Sequence, residues 1–142
     1  MADVREFPAR GKVIAVKDGL VIFNPANTTY EMHLRVGSPY TGPINKPVEA
    51  IIRFTARKIY TVPSGGNFVA PIFGPPRILQ GRVRYLDQHS VVLHAGVTVV
   101  AQLPAADAAL DLESGPIAVG SMVNAVALPG ASFELLQTAA AR

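Results

Sequence analysis

Glycine and proline break this chain too often for long helices. Twelve of each fall among 142 residues, above the usual share of these two types. Between them lie short runs in which apolar and polar residues alternate. Tyr30, Met32, Leu34 and Val36 hold every second position of one run, and Val97, Val99, Ala101 and Leu103 of another. Successive side chains of a strand point to opposite faces, so a period of two marks a half-buried strand. Hydrophobic residues are 49% of the chain and charged residues 16%. That is enough apolar surface to close a core and too little charge to hold the chain unfolded. There is no cysteine, which removes a disulfide framework, a thiolate metal site and a thiol nucleophile.

The pattern occurs twice. Gly11-Lys12-Val13 matches Gly81-Arg82-Val83, and at the same spacing Val16 meets Leu86 and Val21-Ile22-Phe23 meets Val91-Val92-Leu93. Further on, Val48-Glu49-Ala50 matches Val123-Asn124-Ala125. Each half reads as a series of short strands: Ala9–Val16, Leu20–Asn24, Thr29–Val36, Pro47–Arg57 and Lys58–Val62, then Leu79–Leu86, Ser90–His94, Val97–Leu103, Gly120–Leu128 and Ser132–Leu136. Asp18-Gly19 is a tight-turn dipeptide that joins the first two as a hairpin. A helix is expected over Pro104–Glu113, which is alanine-rich, opens on proline and ends before Ser114-Gly115-Pro116.

The order β-β-β-α-β-β is similar to that of the OB-fold, a five-stranded Greek-key barrel. The expected fold is therefore all-β, with two similar small five-stranded, OB-like barrels in tandem over 1–62 and 78–142 and one short helix in the second half. The connection 63–77 interleaves Phe68, Val69, Ile72 and Phe73 with proline and glycine. It is too apolar for a free linker and reads as an ordered segment packed on a barrel or a partner chain.

No motif for catalysis emerges. The chain has no Gly-x-Ser-x-Gly, no His-Glu-x-x-His and no Gly-x-x-x-x-Gly-Lys-Ser/Thr. His33 shares a polar strand face with Glu31 and Arg35 and reads as solvated. His89 and His94 flank a strand, with Asp87 close by. Five extended residues span about 16 Å, too far for one ion, and zinc needs more ligands than these. Asp107, Asp111 and Glu113 read as the solvated face of the expected helix. We therefore expect no enzyme activity, no metal and no cofactor. The N-terminal residues lack the apolar run of a secretory signal, and no stretch nears 18 apolar residues, so the sequence predicts a cytoplasmic protein with no membrane partner.

Charge is unevenly spread. Residues 1–75 carry nine Lys/Arg against five Asp/Glu, and residues 76–142 carry four against five. In Val48–Tyr60, alternation sends Val48, Ala50, Ile52, Phe54 and Ala56 inward and Glu49, Ile51, Arg53, Thr55 and Arg57 outward. Lys12, Lys17, Arg53, Arg57, Lys58 and Tyr60 are the candidates for an anionic partner, since OB-like barrels bind single strands with cations and stacking rings. By contrast Met122–Leu128 is almost continuously apolar and uncharged, which means that both of its faces are covered. The first expectation is a non-catalytic interaction or assembly module, homo-oligomeric, with Phe68, Val69, Ile72, Phe73, Met122 and Val126 at its interface. The alternative is single-stranded nucleic-acid binding through the basic first half.

Overall fold

The structure is a computed structural model describing residues 7–37, 39–63, 65–87, 90–103 and 117–138. The strands are β1 (Ala9–Lys17), β2 (Leu20–Pro25), β3 (Glu31–Arg35), β4 (Pro47–Thr61), β5 (Phe68–Ala70), β6 (Phe73–Gly74), β7 (Ile78–Leu86), β8 (Ser90–His94), β9 (Thr98–Gln102), β10 (Met122–Ala127) and β11 (Ser132–Thr138). The all-β expectation holds, and no helix occurs among the described residues. The helix expected over Pro104–Glu113 lies outside them, as does His89. No helix of the described residues is long and apolar enough to cross a membrane.

All eleven strands belong to one mixed sheet rather than to a separate sheet for each half. The expected break at Arg57-Lys58 is absent, because β4 runs unbroken through both segments. Along one edge β4 pairs with β1 from Pro47 to Ala50 and then, in parallel, with β9 from Arg53 to Thr55. Its other edge carries β11 opposite Val48–Arg53. β10 pairs with β4 opposite Ala56–Thr61. Strand β11 comes from the end of the chain, yet its partners are β4 and β3 of the first half. The pairings close two circuits that share β4: β1-β2-β3-β11-β4 and β4-β10-β7-β8-β9.

Local chemistry sets the curvature. Asp18 and Gly19 both have positive φ, 51° and 78°, the backbone a two-residue hairpin needs to match strand twist. Gly11 and Gly81 sit where strands cross so closely that a side chain has no room. A Cβ at Gly11 would lie 2.3 Å from the Asn24 carbonyl oxygen, and one at Gly81 would lie 2.1 Å from that of His94. Just beyond each glycine the register slips by one residue, between Val13 and Ala15 on β1 and between Val83 and Tyr85 on β7. Such bulges bend a strand and tighten its twist.

The main core draws on both halves, with Phe23, Met32, Leu34, Phe54, Ile59, Leu79, Leu93 and Phe133 among its members. Phe133 of β11 packs at a tilt against Phe23 of β2, 5.4 Å between ring centroids, and edge-to-face against Tyr40 at 5.9 Å. A second, smaller cluster lies on the other face of β4. Ile51 meets Val92 and Val100 there, roofed by Phe7, Tyr85 and Leu136. Ile51 is consequently buried, and Glu49 is buried as well, although alternation directs both away from the main core. Glu49 accepts a bond from Arg10 Nε at 2.8 Å, and Arg53 pairs with Glu134 across to β11.

Tyr40 donates its hydroxyl to the Pro43 carbonyl at 2.7 Å. Burial penalises the phenolate and raises its pKa above the ordinary 10.0. The stability tied to the neutral phenol is thus complete below about pH 10 and is lost as pH climbs through the higher folded value. Ultraviolet titration of the protein minus that of Tyr40→Phe should show one tyrosine ionising above its free value. A midpoint at or below that value would contradict the packing.

Candidate functional site

One residue decides which side chains reach the outside of β4. Up to Ala56 the even-numbered positions point inward, as alternation expects. Between β4 and β10 the register then slips: Ala127 faces Ala56 but Val126 faces Lys58, leaving Arg57 as the extra residue of a bulge. The bulge exchanges the two faces. Ile59 turns into the core, and Lys58 and Tyr60 turn out.

The neighbouring strands extend this outer face. On β10, Val123 and Ala125 are buried while Asn124 and Val126 are partly open. On β7, Leu79 and Val83 are buried while Ile78 and Arg82 are exposed. On β5, Val69 is buried between half-exposed Phe68 and Ala70. Two rows therefore run across the strands. The first is Lys58, Val126, Ile78 and Ala70, and the second is Tyr60, Asn124, Gln80 and Phe68. Lys58 Nζ stands 5.3 Å from the centre of the Tyr60 ring. Asn124 Nδ2 donates to Tyr60 Oη at 3.2 Å, and Gln80 Nε2 donates to the Gly66 carbonyl at 2.9 Å. Arg82 Nη1 donates to the Gly120 carbonyl at 2.9 Å. At the end of the first row a groove of about 500 Å³ opens, with Ile78, Val126, Leu128 and Pro71 in its walls and Arg57 and Arg77 at its rim.

Charge on this face has one sign. None of the strand segments Ala56–Thr61, Met122–Ala127, Ile78–Arg82 and Phe68–Ala70 contains an acid. Arg57, Lys58, Arg77 and Arg82 make no ion pair among the described residues. No protein-family model matches the sequence, and no curated protein matches it.

The residues singled out in the sequence divide into groups. Arg57, Lys58 and Tyr60 share the outer face with Phe68 and Val126, which the sequence alone assigns to a separate interface. Lys12 lies opposite Pro47, at the far end of β4. From Pro47 to Lys58 the strand covers about 36 Å, so Lys12 does not join them, nor does Lys17 beside the first hairpin turn. Arg53 is engaged by Glu134. Of the apolar candidates, Val69 and Met122 are buried. Ile72 and Phe73 are 51% and 63% exposed and lie beside β3, where Glu31 N–H donates to the Ile72 carbonyl at 2.8 Å. Arg77, Gln80, Arg82 and Asn124 escaped the sequence reading. Their signal was there: Gln80 and Arg82 alternate on one strand, and Asn124 interrupts an otherwise apolar run. Among the described residues no three His, Cys, Asp or Glu side chains gather as a metal site.

Proposed function

We propose that the protein is a non-catalytic interaction and assembly module that self-associates through its apolar connection. The observation that carries this reading is Phe73. It is a large aromatic ring held mostly in solvent by a segment that is itself fixed, since β6 pairs in parallel with β3 through Glu31 and Met32. Ile72 beside it is also exposed, and Pro71 leads on to the groove of Ile78 and Leu128. Contiguous apolar surface of this kind marks an interaction site. Light scattering should give a mass of at least two chains for the wild type and 15.0 kDa for Phe73→Asp. A wild-type monomer at the highest concentration reached would overturn the proposal.

The architecture behind it is, in this reading, a pair of OB-like barrels built from one repeated unit, with the fifth strands exchanged. Three equivalences support the repeat. Gly11 meets the carbonyl of Asn24 and Gly81 that of His94, each seventy residues further along. The bulges at Ile14 and Arg84 keep the same spacing. Parallel β3–β11 and β4–β9 pairings occupy corresponding places in the two circuits.

A further inference from the structure

We infer that the outer face of β4, β10, β7 and β5 binds single-stranded nucleic acid, through an aromatic row that does not include Phe73 and that adjoins the Phe73 surface at the groove of Pro71, Ile78 and Leu128. Charge is the first support. Arg57, Lys58, Arg77 and Arg82 border this face, none is neutralised by a described acid, and the strand segments that form it, Ala56–Thr61, Met122–Ala127, Ile78–Arg82 and Phe68–Ala70, carry no acid. Such a field attracts phosphates.

The second support is the row between these cations. Tyr60, 41% exposed, and half-exposed Phe68 stand at its two ends; between them lie half-exposed Asn124 and Gln80, which is buried against the Gly66 backbone. Three strand spacings separate the two rings, about 14 Å. That distance suits two splayed bases rather than one. Aromatic platforms flanked by cations hold unpaired bases because every base has a stackable face.

A duplex fits poorly, because its bases are already stacked and base-reading needs a helix or ribbon that enters a groove. The described residues on this face offer only a sheet. An acidic peptide would gain most by adding to a strand edge, but β10 and the facing part of β7 are paired on both edges, which leaves only the three-residue β5 to offer one. The bulge at Arg57 turns Lys58 and Tyr60 outward and so makes the face.

Fluorescence anisotropy with labelled oligo-dT and oligo-rU at low and moderate salt tests this. The wild type should bind both, with affinity falling as about the third power of salt concentration for four phosphate contacts. Tyr60→Ala should weaken binding about tenfold, and Tyr60→Phe, which keeps the ring, should restore it. The Arg57→Gln, Arg77→Gln double variant should lower the salt exponent by about 1.4. Lys12→Gln should change nothing. Circular dichroism of each variant separates lost binding from lost fold. No binding at low salt would overturn the proposal. So would equal competition by poly-glutamate or by a duplex, or a Tyr60→Ala protein that is folded and binds like the wild type.

Discussion

Gly81→Ala is expected to destabilise the protein by about 3 kcal/mol, at the upper end for an overpacking substitution. The position faces inward between Leu79 and Val83, both essentially buried. A methyl group there would meet the carbonyl oxygen of His94 at 2.1 Å, with the His94 carbonyl carbon at 2.5 Å. These are backbone atoms of a paired strand, with Arg82 opposite His94. They cannot swing aside as the end of a long side chain would. Gly11→Ala should behave alike, since its obstacles include the Asn24 carbonyl and the Pro25 Cα. Gly37 is the control. Nothing lies within 4 Å of a Cβ there, so Gly37→Ala should stay within about 0.5 kcal/mol of the wild type. Urea denaturation midpoints compare the three. A Gly81→Ala protein as stable as the Gly37→Ala protein would show that the strands do not approach so closely.

The largest effect should come from cutting the chain. Divided between Gly65 and Gly66, it yields one fragment with β1 to β4 and one with β5 to β11. Alone, the first lacks β11, so β3 and β4 lose a neighbour and the core loses Phe133. The second lacks β4, which leaves β9 and β11 without their β4 pairing and β10 with β7 alone. Open edges and exposed apolar faces of this extent favour aggregation over folding. Each fragment expressed alone should therefore lack fixed tertiary structure, and the two expressed together should form a one-to-one complex with the circular dichroism of the intact chain. A dispersed amide spectrum from either fragment alone, as a monomer, would show that the pairing of strands between the two fragments is dispensable.

Local features of this fold were legible in the sequence where the cause is local. The Asp18-Gly19 turn follows from two residues that tolerate positive φ, and the strands around it follow from alternation. Alternation, however, states which side chains go inward and not which strand lies alongside. That β11 pairs with β4 and β3 depends on contacts made across most of the chain. The same limit hides the second cluster: alternation points Ile51 outward, and it does point away from the main core, but Val92 and Val100 cover it. The outer face of β4 was only half legible because of Arg57. Strict counting by twos puts Tyr60 on the side of Phe54, in the core. One extra residue reverses that, and no residue type announces a bulge of this kind.

Strand β4 has a mechanical consequence. Both circuits of strand pairing hang on the same fifteen-residue spine, so loosening at Val48 withdraws support from Ile59 through a single continuous backbone. Heat should therefore dismantle the protein in one cooperative melt, with neither half outliving the other.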